Sequence, residues 1–598
     1  STRVNLSREL NLPEIKMLTE VAHDHDVLTE VFVHGSNCIG FSGLCYFSSA
    51  HGGNSGNRGR CSQPCRDQYQ TTAVGAEYPL NMKDNSAFDD LQALADAGVD
   101  SLKVEGRIKK FHYVHSVIST WRQQITRLQQ QQTLSTDKSA LYTVFNRDFT
   151  NGYLAGHVGK AMYIDNPRDN AVQHFSAAEQ QSLQSTPATI QVVKQRLYDK
   201  KTLFIESVDE KIKQLDISKT KLKLAIKGQL GSALEIAVFV DEQQTASFTA
   251  VSSQALTAAD KYTLSQQELT QRFKSFNCDK YQLEPIDFTE FSGAVFLSFK
   301  QLSQMKTAIA TFINTNKPPI APIDYAAVRK SRLVNVSQAC EQAQLNAERK
   351  TSTAVLISNR KDLALYRSLK QANAAVSFYY AVPDSIALEA DKLIALFNSE
   401  PELTPWFGAI VMQQDFEAVE RLLQAIPQNQ IVSNNSGIGV IAKQLGLKWI
   451  AGPQLNISNS FSLDSLQQQG CVGAFLSNEL NKKQLKLIRA PKGFSLHYSC
   501  LHPILLMTSR QCLFLQSSGC DKSVMDEDCL AVCKKQTMIT NVKQTDFIID
   551  KKRRDHNNLY GAELFFNPGI IDELPQHFNS LLLDLRNIET KSQFIDTK

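Results

Sequence analysis

The 598-residue sequence has no apolar run long enough to span a bilayer and no apolar signal-peptide core near its start. An α-helical membrane protein is thereby excluded, and a cytoplasmic protein is expected. Neither charge is in real excess. The 64 Lys+Arg against 60 Asp+Glu leave +4, which rules out a basic nucleic-acid coat but leaves room for local basic faces, enough for an enzyme of structured RNA. There is no His-Glu-x-x-His and no nucleophile beside an evident base, so the usual hydrolase signatures are missing. Cysteine is scarce except in two places: four lie from Cys38 to Cys65 and five from Cys500 to Cys533, leaving only Cys278, Cys340 and Cys471 elsewhere. Clustered thiols without a secretion signal point to metal or cluster ligation more than to disulfides.

What is present is ordinary globular sequence, 42% hydrophobic and 21% charged, too long for one core, so two to four domains are expected. Strand-like runs at residues 31–33, 78–81 and 101–104, with an amphipathic stretch at 88–96 and a helix over about 113–131, predict parallel strands with crossover helices. Runs at 190–193, 222–226 and 234–239, with a helix at 264–276, predict a small β-rich domain over 186–315. Residues 316–350, opening with three prolines, read as a linker and helix. Beyond them, runs at 354–357, 376–380, 409–412, 430–432, 449–451, 473–476, 494–498, 547–549 and 580–585 alternate with helices, which predicts a (β/α) barrel over 351–598.

An internal repeat joins the two ends. Ser7-Arg8-Glu9-Leu10-Asn11 is matched by Ser477-Asn478-Glu479-Leu480-Asn481, and each is followed by a helix, a strand and a cysteine cluster. The closing strands also match: Ser101-Leu102-Lys103-Val104-Glu105-Gly106-Arg107 against Ser580-Leu581-Leu582-Leu583-Asp584-Leu585-Arg586. The second copy has about five strands ahead of its Ser-x-Glu-Leu-Asn element and the first has none. The expectation is an α/β protein with a partial barrel over 1–185 and a second barrel after the β-rich domain. Either a missing segment completes the first barrel or the chain is a fragment.

Cys38-x6-Cys45-x15-Cys61-x3-Cys65 is the sharpest chemical signal. Glycines surround it, from Gly35 to Gly59, and let backbone approach a compact group. Zinc favours tighter Cys-x2-Cys knuckles, so an iron–sulfur cluster suits the spacing better, with zinc or fewer than four ligands as the alternative. Cys512-x7-Cys520-x8-Cys529-x3-Cys533 is the counterpart: a second cluster, a zinc site or a retired copy. Strand alternation places Lys103, Glu105 and Arg107 on one side of the chain, where they can bind a carboxylate or phosphate and move protons, or simply close the barrel as ion pairs. Glu30 and His34 are expected to share a face of the neighbouring strand, His34 as proton carrier or as a structural residue. Lys83-Asp84 is a third polar pair. The basic stretches 107–110 and 551–554 read as solvated faces, with RNA contact as the sharper alternative.

The stretch from Glu30 to Arg107 resembles the peptidase U32 (collagenase-like) family. The residues that carry this are Glu30-Val-Phe-Val-His-Gly35, Cys38, Phe41-Ser-Gly-Leu-Cys45, Asn57-Arg-Gly-Arg-Cys61-Ser-Gln-Pro-Cys65-Arg66, Leu80-Asn-Met-Lys-Asp84 and Ala97 to Arg107. Phe145 to Leu154 is a further family-like element, with Asp148 where the family usually has glycine. The β-rich middle, Ser509-Arg-Gln-Cys512 and Asp584-Leu-Arg586 look like the branch that hydroxylates a cytidine of 23S ribosomal RNA. The resemblance implies formation of 5-hydroxycytidine in 23S rRNA or its precursor. It also implies a 4Fe-4S cluster on Cys38, Cys45, Cys61 and Cys65, the last being the ligand that some relatives supply from elsewhere, and a prephenate-derived hydroxyl donor. The alternatives are a metallo- or collagenase-like peptidase and a non-catalytic iron–sulfur subunit of a hydroxylation complex.

Overall fold

The computed structural model describes residues 2–106, 109–165, 167–168, 170, 174, 187–214, 219–241, 245–260, 262–278, 280–315, 351–372, 375–526, 528–529, 532–552 and 556–586. The expected linker and helix at 316–350 lies outside them, as does Arg107. The chain forms two units: Ser1–Ile205 together with Asn335–Lys598, and Glu206–Val334. Among the described residues no helix is long and apolar enough to cross a membrane.

At the N-terminal end, β1 (Arg3–Asn5) and β2 (Leu28–Gly35) run parallel, and β4 (Ser101–Val104) pairs parallel with β2. β3 (Asp84–Ser86) pairs antiparallel with the end of β2 and parallel with β5 (Phe149–Thr150). Alternation along β2 buries Val31 and Val33 beneath Tyr113, Val117 and Trp121 of helix Phe111–Gln129. Helix Leu12–His23 opens on Asn11, whose side chain and that of Glu14 cap each other's backbone N–H. The strand expected at 78–81 is a turn; beyond an isolated bridge from Met82 to Tyr163, the strand starts only at Asp84. Pro79 cannot donate to a ladder, and the Met82 carbonyl is taken by the Arg66 guanidinium at 2.8 Å.

The second unit has β6 (Thr220–Gly228) at its centre. β7 (Ala233–Val240) pairs antiparallel with it, and β8 (Phe248–Ala255) antiparallel with β7; β9 (Tyr281–Leu283) and β10 (Asp287–Phe291) run parallel to β6. The run at 190–193 is not a strand: it lies within helix Pro187–Lys213. A four-residue apolar run does not distinguish the two states, and here its neighbours are good helix formers.

In the C-terminal half, β11 (Ser352–Ile357), β12 (Val376–Ala381), β13 (Thr404–Phe407), β14 (Gln430–Ser433), β15 (Lys448–Ala451) and β16 (Cys471–Phe475) pair in sequence, all parallel. The first residues of β17 (Ser495–Ser509) follow β16, and β21 (Ser580–Asp584) joins β17 back to β11. These eight parallel strands close a barrel. Its interior is packed with Tyr379, Trp406, Val432, Ile450, Phe475 and Leu582. The third strand was expected at 409–412 but is Thr404–Phe407, where Trp406 and Phe407 supply buried area. Gly408 follows it, where a Cβ would stand 2.8 Å from the Asp384 carboxylate. The run at 547–549 is a strand outside the barrel. β17 runs on past the rim, and its last residues start an antiparallel meander with β20 (Asn557–Phe566), β19 (Asp546–Lys552) and β18 (Lys534–Thr540).

Candidate functional site

The first cysteine loop leaves β2 at Gly35, whose φ of 127° and close approach to Glu105 exclude any side chain: a Cβ would lie 2.7 Å from the Glu105 Cβ. The loop is then zipped onto the meander. Phe41 N–H donates to the Thr508 carbonyl at 2.8 Å and Tyr46 N–H to that of Leu506 at 2.7 Å, setting Cys45 opposite Met507. Gly40 sits where the loop is tightest: a Cβ there would be 3.1 Å from the Cys45 Cβ. Gln63, at φ 59°, donates its N–H to Cys61 Sγ at 3.3 Å. The Arg66 guanidinium braces the far end, donating to the Asn37 carbonyl at 2.9 Å, the Met82 carbonyl and the Asn81 side chain.

Charges within the cysteine set act on three of its thiols. Burial pushes Cys38, Cys45 and Cys65 up, Cys65 to about 12, and the charges of neighbouring cysteines of the set, Cys61 included, add to the rise. Two guanidiniums oppose it, Arg8 at Cys38 and Arg66 at Cys65. Among the described residues no three His, Cys, Asp or Glu side chains are gathered tightly enough to hold a single metal ion. Four thiols in a glycine-rich loop with two adjacent cations fit a polynuclear group better, since its sulfurs stand further apart and its thiolates need positive charge nearby.

Beside this loop, Arg8 donates to Glu105 at 3.2 Å and lies over the Phe32 ring, whose centroid is also 5.2 Å from Lys103 Nζ. Lys103 in turn holds Glu30 at 2.8 Å, keeping that carboxyl below its ordinary range, whereas burial pushes Glu105 up against the pull of Arg8 and Lys103. Glu30, Lys103 and Glu105 are thus brought into one chain of contacts. Sequence reasoning placed Arg8 and Glu9 in the repeat and missed their part in the site. Glu9 is 1% exposed, bonds Ser7, leaves Oε1 without a hydrogen bond, and raises the Cys38 thiol by its charge. Two other contributors carried no local signal: Arg510 of the meander, which donates to the Glu9 carbonyl and pairs with Glu14 at 3.5 Å, and Arg147, which pairs with buried Asp84 at 3.3 Å. Lys83 turns away to Asp148, 2.9 Å distant. Asp148 adopts φ 62°, the left-handed conformation that a glycine would take there and that Asp tolerates.

His34 is not in that chain. The register slips between Phe32 and His34 against β4, and the imidazole lies buried with Tyr113, Trp121 and Phe149 around it and no partner for Nδ1. Burial pushes its pKa down to about 4, so the folded state holds it neutral. The stability this confers is complete above the ordinary value near 6.5 and is lost as pH falls toward about 4, worth about 3 kcal/mol over that interval. Denaturant midpoints from pH 7 to 4 should fall less steeply in His34→Phe than in the parent protein; parallel slopes would contradict this.

In the second set, Cys512 is buried, its thiol pushed up by burial and by the charge of Cys520, while Lys551 opposes. Lys535 Nζ reaches Cys520 Sγ at 3.8 Å, and Cys529 is buried near Lys522. Cys533 is half-buried. Lys551, expected on a solvated face, is 1% exposed with Nζ 3.6 Å from Met525 Sδ, because β19 carries it into the core shared by both cysteine loops. That core joins Phe47, Met82 and Tyr163 to Met507, Phe514 and Ile549.

Fold and site together define an α/β-barrel protein with a cysteine-bearing, glycine-rich loop at the exit of a strand. The chain belongs to peptidase family U32, whose family model matches residues 1–163 and 407–579, more than half of it. It is 43% identical over 130 residues to the 23S rRNA 5-hydroxycytidine C2501 synthase of Escherichia coli (strain K12), covering 21% of this chain and 19% of that protein. It is 36% identical over 135 residues to tRNA hydroxylation protein P1 of Bacillus subtilis (strain 168), covering 21% and 31%. To a collagenase of Porphyromonas gingivalis (strain ATCC BAA-308 / W83) it is 31% identical over 173 residues, covering 26% and 42%. The chain thus spans less than half the length of each of these relatives, and no solved structure matches it.

Proposed function

We propose that this protein is an RNA-modifying enzyme that hydroxylates a cytidine of 23S ribosomal RNA or its precursor at C5, with an iron–sulfur cluster held by Cys38, Cys45, Cys61 and Cys65. The observation that carries this reading is the placing of Cys38, Cys45, Cys61 and Cys65 in one glycine-rich loop at the exit of β2, with Arg8 beside Cys38 and Arg66 beside Cys65. The similarity to rRNA- and tRNA-hydroxylating relatives supplies the substrate class. Replacing C–H by C–OH needs an oxygen source from outside the chain, for which we propose a prephenate-derived donor. When bound, the cluster would supply one-electron chemistry.

The chain's own residues do the rest. Arg8 and Arg66 offset the negative charge of four thiolates, and Arg8 also fixes the orientation of Glu105. The Glu105 carboxyl, pushed up by burial, holds a proton nearer neutrality than an exposed one and is suited to pass it to or from a reacting group. A single-ion metallopeptidase is a poorer fit, because among the described residues no three ligating side chains are gathered for one ion. Mass spectrometry of 23S rRNA from cells with and without the gene tests the proposal. Loss of 5-hydroxycytidine on deletion, restored by the intact gene, is expected; an unchanged nucleoside would overturn it.

A further inference from the structure

The repeat places a second set of charged groups in the C-terminal barrel, and the fold puts them at its mouth. A cavity of about 1580 Å³ opens there, at the C-terminal ends of the barrel strands, where barrel enzymes bind their ligands. Glu479, the counterpart of Glu9, and Asp584, the counterpart of Glu105, both line it. Asp584 holds the Arg586 guanidinium two-fold, at 2.8 Å to Nε and 2.6 Å to Nη2, which leaves Nη1 without a hydrogen-bond partner among the described residues. Apart from that pair, seven Lys/Arg line the cavity against four Asp/Glu, so the remaining wall carries an excess of positive charge.

The cavity also holds polar atoms that lack partners. Ser499 is 2% exposed, yet its hydroxyl makes no hydrogen bond among the described residues. Glu479, with a side chain 4% exposed, takes the Ser49 hydroxyl on Oε1; its Oε2, 3.6 Å from Arg58, takes no hydrogen bond. A buried hydroxyl without a partner costs stability unless a ligand satisfies it. Ser49 and Arg58 both belong to the segment between Cys45 and Cys61, so the first cysteine loop walls the mouth of the other barrel.

We propose that the mouth of the C-terminal barrel is a second ligand site, walled by the Cys45–Cys61 segment, which takes a small organic anion whose carboxylate or phosphate group is gripped by Arg586. The pinned guanidinium offers a rigid donor edge suited to either group, and the cationic lining favours an anion over a neutral ligand. Ser499 supplies a hydroxyl to a polar group deeper in the cavity. This site is separate from the thiol centre, and its test measures binding, so it can fail while the hydroxylase reading stands.

The test is calorimetric titration of the full chain with malonate and, separately, with inorganic phosphate. Saturable one-to-one binding of at least one is expected, and which binds tighter assigns the group as carboxylate or phosphate. In Arg586→Lys, which keeps the charge and loses the fork, affinity should fall by about tenfold or more at an unchanged unfolding midpoint. Should that variant unfold, the paired Asp584→Asn/Arg586→Gln variant removes both charges without leaving either alone and should lose binding equally. Ser499→Val should weaken binding less. No saturable binding of either probe to the parent chain, or undiminished affinity in a folded Arg586 variant, would overturn the proposal.

Discussion

Single serine replacement of Cys38, Cys45 or Cys61 is expected to remove the visible absorption, iron and acid-labile sulfide of anaerobically purified protein. With them should go 5-hydroxycytidine in the rRNA of cells carrying only the variant. A serine hydroxyl is far harder to ionise than a thiol and is a poor ligand for iron, so one lost thiolate leaves the cluster held at three corners. Cys65→Ser is expected to behave alike: Arg66, anchored on the Asn37 and Met82 carbonyls, holds Cys65 among the other three thiols in this chain. Each variant should remain folded by circular dichroism, since the loop is tied to the meander through backbone hydrogen bonds that no cysteine side chain supplies. Full iron and sulfide in every variant would remove the assignment.

Asp84→Ala is expected to cost about 3–5 kcal/mol of stability. Asp84 is 4% exposed, its carboxyl 3.3 Å from Arg147 Nη1 and accepting the Arg147 N–H at 3.0 Å, with Arg66 also near. Removing it leaves a guanidinium whose side chain is 9% exposed without its counter-charge and frees the turn that carries Asp148. Asp84→Asn, which keeps an acceptor, should cost less. Urea midpoints of the two variants check this, and a loss below about 1 kcal/mol for alanine would show that solvent reaches the pair.

Much of the barrel was legible because a buried parallel strand needs only a short apolar run bounded by turns, and runs such as 354–357 and 449–451 appear where β11 and β15 lie. The misplacements have separate local causes. Residues 78–81, 190–193 and 409–412 read as strands, but Pro79, the helical neighbours of the second run and the burial of Trp406 and Phe407 just ahead of the third decide otherwise. In the site, the thiols and Glu105 could be named from spacing at a strand end. His34 could be named too, but a slip of register, invisible in sequence, moved it among aromatic rings.

The sequence by itself determined the alternation of strands and helices, the two cysteine sets and the repeat that relates Glu9 to Glu479 and Glu105 to Asp584, because these rest on residue type and local period. Only the tertiary structure decided which groups face one another. Arg510 reaches Glu9, Ser49 reaches Glu479, and Lys551 is carried beneath Cys512. Each of these pairs is separated by tens to hundreds of residues: the first two are made when β17 continues past the rim and its edge meets the first cysteine loop, and the third when the meander folds back on the end of β17. The hydrogen bonds that fasten the first cysteine loop to β17 run between backbone groups, which every residue carries alike, so no side-chain pattern announces that pairing.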